Sequence, residues 1–192
     1  MNLRSFIALF AKRRYQLNIS MAFQRTGGKK NMKSIPKLVD AILVAWSKCL
    51  MPPYGSGEYS SSIDGATDCN RFVNEVCNRF GYTKFNGLLA NQMFDLFLNN
   101  GDWLEIQGEI AQYHANSGAL VVASYQNPSG HGHVCMVRPG IAETSGKWEV
   151  ITPSVPKVAN VGEPETCKLD IKASYAFGPY KRPKYFVLKS MI

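Results

Sequence analysis

Two short apolar runs separated by turn-forming residues constrain the fold of this chain more than any other feature. Residues 119–125 and 133–138 are aliphatic and partly β-branched, and the segment 126–130 between them reads Gln-Asn-Pro-Ser-Gly. Apolar β-branched runs favour buried strands, whereas Asn, Pro, Ser and Gly favour turns. The sequence therefore predicts two strands joined by a loop, with His133 opening the second, central strand.

A third run with strand character, residues 147–152, follows the turn signals Pro139-Gly140 and Ser145-Gly146. We expect this run to be a further hairpin partner of the strand that begins at His133. Together the three runs predict a central antiparallel sheet.

Cys69 lies at the start of a predicted amphipathic helix that ends at Gly81. The apolar residues that follow it at helical spacing are Phe72, Val73, Val76, Cys77 and Phe80. With Asp68 as the N-cap, the sulfur lies in the first turn, where unpaired backbone N–H groups and the helix dipole favour a thiolate. A free cysteine is more often a small buried hydrophobe. The helix alone therefore does not separate a nucleophile from a core residue.

A histidine motif supplies the second half of a nucleophilic site. Residues 130–134 read Gly-His-Gly-His-Val, and His133 follows Cys69 by 64 residues. An imidazole beside a helix-start cysteine can take the thiol proton and later return it to a leaving amine. His131 competes for this role because it would share the same face of an extended strand, but His133 directly adjoins the apolar run that holds its backbone. We therefore predict His133 as the general base.

The same segment also permits a metal site. His131, His133 and Cys135 alternate along an extended chain, and imidazole with thiolate suits zinc. No fourth ligand cluster is evident, and a zinc site would leave the distant cysteine helix unexplained. We expect a site without a metal or another cofactor.

A third polar group should orient the imidazole through its other ring nitrogen. Asn160 is our prediction, because the short run 156–162 can pair beside the histidine hairpin and an amide oxygen can accept from the ring N–H. In the alternative interpretation, Asn160 is simply a turn residue before Gly162. Glu149 and Thr152 on the expected hairpin partner are alternatives.

Two further helices are predicted, over residues 34–50 and 88–98, from apolar residues at helical spacing. In the second of them, Asn91 and Gln92 are near enough to the expected cleft to approach it. His114 falls in a helix before Gly118, where we expect a solvated surface residue.

The basic residues divide the chain into two parts. Residues 1–37 carry 9 of the 22 Lys and Arg residues and no acidic residue. Residues 38–192 carry the other 13 basic residues together with all 14 acidic residues. We expect a basic, flexible arm over residues 1–33 and one domain over residues 34–192. Such an arm is either a solvated tail or a means of steering the protein to an acidic surface.

Cysteine usage and the N-terminal residues bear on localisation. Five cysteines without a paired spacing suit a reducing compartment. The apolar run at residues 5–11 is short and is followed by Lys12-Arg13-Arg14, so no secretion signal is expected. We expect synthesis in the bacterial cytoplasm.

With these residues in place, the chain resembles the NlpC-type and CHAP-type cell-wall hydrolases of the papain-like superfamily. Residues 68–73 resemble the family's Asp-Cys-Ser-Gly-Phe-Val pattern, with Asn70 and Arg71 at the two middle positions. Residues 118–121 resemble Gly-Asp-Leu-Val, with Ala119 in place of the acid, and residues 132–134 match Gly-His-Val. The resemblance covers roughly residues 60–190 and also favours His133 over His131.

The resemblance implies an α+β, papain-like fold with N-terminal helices packed on a central antiparallel sheet. It also implies attack on an amide bond of peptidoglycan, by a stem-peptide endopeptidase or an N-acetylmuramoyl-L-alanine amidase. Cys69 would be the nucleophile and His133 the base and then the acid, with Asn160 beside them. Asp68, Asn70 and His131 are the expected substrate-binding residues.

The same resemblance sets the expected partners and the place of action. Peptidoglycan is the expected partner, with an inhibitor or immunity protein if the chain is an antibacterial effector; we expect no nucleic acid and no membrane span. Action at the cell wall or in the periplasm would then require lysis or a dedicated secretion machine.

Two other interpretations of the same residues stay open. A cysteine and a histidine serve any acyl transfer, so the substrate could be a non-wall amide, ester or thioester. Alternatively, the protein is an inert binding module in which Cys69 belongs to the core.

Overall fold

The computed structural model describes residues 34–47, 69–162 and 167–192, and these form an α+β fold. Its helices are α1 (Ser34–Ser47), α2 (Cys69–Asn78), α3 (Ala90–Asn99), α4 (Gly108–Asn116) and α5 (Ala173–Ala176). Its strands are β1 (Trp103–Ile106), β2 (Val121–Tyr125), β3 (His133–Val137), β4 (Glu143–Ser145), β5 (Val150–Val155), β6 (Lys157–Asn160), β7 (Lys168–Lys172) and β8 (Lys184–Leu188). The predicted α+β class is confirmed. The predicted arm over residues 1–33 and the predicted N-cap Asp68 lie outside the described residues.

The central sheet has the order β1-β8-β2-β3-β6-β7, and each neighbouring pair is antiparallel. The strands β2 and β3 form the predicted pair, with Tyr125 opposite His133. The prediction that His133 opens a central strand is confirmed, since β3 lies between β2 and β6.

The predicted third hairpin strand is wrong in its partner. Residues Gly146–Trp148 form a 3₁₀ turn, Glu149 takes a left-handed φ of 55°, and β5 pairs with β4 in a separate two-stranded sheet. Three of the six residues of β5 are solvent-exposed, so it does not have the burial that a central strand needs. The neighbour of β3 on that side is instead β6, where Met136 lies opposite Ala159.

Alternate residues of β3 face two hydrophobic cores, as the pleat requires. Val134 and Met136 belong to a core with α1, α2 and α3, and Cys135 and Val137 belong to a core with α4, α5 and the β4-β5 sheet. The N-terminal helices therefore cover one face of the sheet, as predicted. The second covered face was not predicted.

The predicted helices are found with small differences at their ends. The helix that begins at Cys69 ends at Asn78, and Gly81 follows in the left-handed region with φ 83°. The helix predicted over residues 88–98 is α3, and α1 is described as far as Ser47. Within the described ranges, no helix combines the length and apolar character needed to cross a bilayer.

Candidate active site

His133 is the first residue of β3 and contacts several polar groups. Its Nε2 lies 2.7 Å from Oδ1 of Asn160 and 3.2 Å from the sulfur of Cys135, and its ring is also hydrogen-bonded to Cys69. Phe177 packs edge-on against the imidazole at 5.0 Å between ring centroids. Half-burial and these contacts hold the ring in one orientation.

Asn160 comes to His133 because β6 pairs with β3. It is the last residue of β6 and is only 2% exposed. Its Oδ1 can accept the Nε2–H of His133, which fixes the tautomer and leaves Nδ1 as the nitrogen able to take a proton. The structure thus gives Asn160 the position predicted for the orienting residue.

Cys69 is the first residue of α2, and its side chain is fully buried in the core beside the sheet. The helix packs on β3, which brings the sulfur of Cys69 to the imidazole of His133. A cysteine at a helix N-terminus next to an imidazole can give up its proton. Because Cys69 is buried, a substrate reaches it only if the surrounding chain moves.

Cys135 is a second thiol in the site, which the sequence interpretation placed only in a metal site. Its sulfur donates to Oδ1 of Asn160 at 2.9 Å, and the residue is fully buried. Its position two residues after His133 on the same strand puts both side chains on one face, and this spacing is the sequence signal that indicates the contact. Asn160 therefore accepts from His133 and from Cys135.

The pKa values show how these groups affect one another. Burial lowers the pKa of His133, but the sulfurs of Cys135 and Cys69 outweigh it, and the pKa lies well above the usual value of 6.5. Burial raises the pKa of Cys135; the imidazole of His133 opposes this shift, and negative charge on Cys69 adds to it. The raised pKa of Cys135 favours its neutral thiol form.

A depression of about 150 Å³ adjoins the buried cluster. Asn70 and Gly132, the neighbours of Cys69 and His133 in sequence, lie in its wall together with His131. The residues Leu89, Ala90, Asn91, Gln92 and Gly130 complete it. Two of the predicted substrate-binding residues, Asn70 and His131, thus share one surface with Asn91 and Gln92.

The residues considered as alternatives to His133 and Asn160 occupy other positions. His131 is exposed ahead of β3, whereas His133 faces Asn160. Thr152 lines a separate groove beside Trp148, and Glu149 precedes β5 in the other sheet. The predicted surface residue His114 is partly exposed in the last turn of α4, and its partial burial lowers its pKa.

The described residues do not form the metal site that His131, His133 and Cys135 permitted on sequence alone. In the part of the chain that the structure describes, no three His, Cys, Asp or Glu residues are grouped so as to hold a metal ion. His133 and Cys135 are bonded to each other and to Asn160 instead.

Cys167, just ahead of β7, is disulfide-bonded, whereas Cys69, Cys77 and Cys135 are free thiols. Disulfides are typical of oxidising compartments. The odd number of cysteines therefore does not by itself indicate a reducing compartment.

Comparison with known proteins gives no family for this chain. No family model matches it, and no curated protein matches it either. The resemblance to cell-wall hydrolases therefore rests on the motifs around Cys69 and His133.

Proposed function

We propose that the protein is a cysteine hydrolase that cleaves an amide bond of peptidoglycan through an acyl-enzyme. The observation that carries the proposal is the contact of one imidazole, His133, with the helix-start Cys69 and with Oδ1 of Asn160 at 2.7 Å. Nucleophile, base and orienting group in mutual contact are the geometric requirement for this chemistry.

The reaction follows from the contact between the thiol of Cys69 and the imidazole of His133. Cys69 gives its proton to His133, and the thiolate attacks the carbonyl carbon of the amide. Backbone N–H groups in the first turn of α2 help to hold the oxyanion. His133 then returns the proton to the leaving amine as the C–N bond breaks. Water, deprotonated by His133, attacks the thioester, releases the carboxylic acid and restores the thiol.

Asn160 and Cys135 act on the imidazole in this scheme. The amide oxygen of Asn160 accepts the Nε2–H, so Nδ1 is the nitrogen that exchanges a proton with the nucleophile in this scheme. A neutral Cys135 bonds the same oxygen and holds the amide in place. The substrate would lie along the depression between Asn70 and His131.

Peptidoglycan is proposed as substrate because of the motifs that resemble the wall hydrolases. The nine basic residues within residues 1–37 also suit an acidic polymer. Action at the wall or in the periplasm, after lysis or by a dedicated secretion machine, is part of the same proposal.

The test is mass spectrometry of fragments released from purified sacculi. We expect defined muropeptides from the wild type and none from Cys69→Ala. Cys77→Ala is the matched control, because Cys77 is a free, fully buried thiol in the same helix. If the wild type is inactive on several wall types while folded, the wall assignment fails, and small amide, ester and thioester substrates are tested next.

The full burial of Cys69 favours a second candidate, a binding module without catalysis. Alkylation by iodoacetamide separates the two. In a hydrolase, Cys69 reacts fastest of the free thiols and slows when His133 is changed to Ala. In an inert module, Cys69 labels as slowly as Cys77.

A further inference from the structure

The loop that leads into His133 is held by side chains from α3. Residues 126–132 connect β2 to β3 and include Asn127, Pro128 and two glycines, Gly130 and Gly132, a composition that favours turns and not rigidity. Asn91, the second residue of α3, reaches this loop.

Asn91 uses both ends of its amide on the loop. Its Nδ2 donates to the carbonyl oxygens of Asn127 at 3.0 Å and Gly130 at 2.9 Å, and its Oδ1 accepts from the backbone N–H of Asn127 at 3.0 Å. Both amide hydrogens and the amide oxygen are therefore bonded to loop backbone. The two carbonyls lie three residues apart, so the amide closes the loop.

Gly132, one residue before His133, is packed directly on this amide. A Cβ added at Gly132 would lie 2.3 Å from Oδ1 of Asn91 and 2.8 Å from the carbonyl oxygen of Tyr125. The φ of Gly132 is outside the left-handed region, so it is space and not backbone conformation that requires glycine. The chain thus enters β3 in contact with Asn91.

The helix that carries Asn91 is itself firmly placed. Met93, Phe94 and Phe97 are buried against the sheet, and the ring of Phe97 stacks on Phe186 at 4.7 Å between centroids. One turn after Asn91, Asp95 accepts from Nε2 of Gln126 at 2.8 Å, a second contact to the same loop.

We propose that Asn91 is a positioning residue for His133, fixing the loop so that the imidazole meets Cys69 and Asn160. The inference rests on the proposed function for its consequence in catalysis. The placement of the imidazole by Asn91 does not depend on which substrate the protein cleaves.

The chain offers a matched control at the opposite end of β3. Asn116 on α4 donates from Nδ2 to the carbonyl oxygen of Gly140 at 3.0 Å and accepts from the Gly140 N–H at 2.8 Å. It is a half-buried asparagine that clamps the loop leaving β3, whereas Asn91 clamps the loop entering it. Asn116→Ala removes comparable bonds far from His133.

The experiment compares Asn91→Ala with Asn116→Ala by NMR titration of the His133 imidazole and by steady-state wall hydrolysis. We expect both variants to lower the unfolding midpoint. Asn91→Ala should also bring the titration of His133 down toward its ordinary value and reduce kcat by up to about 10²-fold, with KM little changed, because the imidazole is displaced. Asn116→Ala should leave titration and kcat as in the wild type.

If Asn91→Ala lowers the midpoint but leaves the titration of His133 at the wild-type value, the positioning role is wrong and Asn91 is merely structural. Asp95→Ala, which removes an exposed side chain, provides the same readout if Asn91→Ala does not fold; it should shift the titration in the same direction, and an unchanged titration overturns the proposal. A wild type that does not cut sacculi removes the proposed function while the titration still decides the role of Asn91.

Discussion

The strands β3 and β6 carry a buried polar cluster at each end, and the two clusters differ in kind. At one end His133 and Cys135 on β3 meet Asn160 on β6. At the other end Arg138, directly after β3, meets Asp170 and lies beside Lys157 of β6. We call these the thiol cluster and the arginine cluster.

The arginine cluster consists of charges with complementary partners. The guanidinium of Arg138 is 2.6 Å from Oδ2 of Asp170, and its backbone carbonyl accepts from Nε2 of the buried Gln112 at 2.9 Å. The oxygen of that amide accepts from the N–H of Lys157 at 2.8 Å, and Lys157 is paired with Glu143. Ion pairs and hydrogen bonds of this kind hold neighbouring elements of a fold together.

The thiol cluster contains groups whose protons can move. Two thiols share one imidazole, and the pKa of His133 is raised because those sulfurs favour its charged form over the opposing effect of burial. Burial of polar groups is thus common to both ends of the strands. The presence of titratable, mutually coupled groups distinguishes a candidate active site from a structural cluster.

The largest expected difference between the clusters is in activity. His133→Ala should reduce kcat/KM for muropeptide release by about 10⁴-fold, because base and acid are lost together. Arg138→Met, at the other end of the same strand, should retain kcat/KM while losing stability. Activity of His133→Ala within tenfold of the wild type would exclude His133 as the base.

A smaller loss is expected from the orienting amide. Asn160→Ala should lower kcat by roughly 10²-fold, because the imidazole loses the acceptor that fixes its tautomer. Gln112→Ala, which removes the buried amide of the arginine cluster, is the control and should leave kcat unchanged. Equal effects of the two variants on kcat would show that general loosening, and not orientation, is responsible.

The arginine cluster should respond in stability. Asp170→Asn should lower the free energy of unfolding by about 2 kcal/mol, less than for a fully buried pair because Asp170 is half-exposed while Arg138 is buried. Urea unfolding measures this change in the free energy of unfolding. Glu75→Gln, which breaks the i,i+4 pair with the more exposed Arg79, should cost about 0.5 kcal/mol or less. A cost for Asp170→Asn no greater than that would mean that Arg138 finds another partner.

The smallest expected effect is the pH dependence of stability. The pKa of His133 in the folded state lies above its usual value of 6.5. Its contribution to the free energy of unfolding is therefore complete below pH 6.5 and is lost as pH rises through the pKa of the folded state. Cys135, whose pKa is also raised, adds a loss above its usual 9.0, where the unfolded thiol ionises first. His133→Gln should reduce the decline in the free energy of unfolding between pH 6.5 and pH 9.0, measured by urea unfolding at each pH.

His114 provides a control of opposite sign. Burial lowers its pKa, so its effect is a loss of stability as pH falls below 6.5. His114→Gln should relieve that loss and leave the alkaline decline unchanged. An alkaline decline that is identical in His133→Gln and the wild type would contradict the raised pKa of His133.

The sequence by itself determined the local elements and their polar ends. The β-branched runs predicted β2 and β3, the 3.6-residue spacing predicted α2 and α3, and the motifs placed Cys69 at a helix start and His133 at a strand start. These features depend on periodicity and turn chemistry over a few residues, which can be read directly from the chain.

Only the tertiary structure decided which elements became neighbours. It paired β3 with β6, a neighbour that the sequence analysis allowed, and not with β5, and so brought Asn160 to His133. It also placed Cys135, which the sequence analysis named only as a possible zinc ligand, in contact with His133 and Asn160, and it brought Asn91 to the loop before His133. Pairing between distant segments depends on register and on how two cores close over the sheet, and a local pattern does not encode either. The chain therefore supplies the reactive groups, and the packing of the sheet brings them into contact.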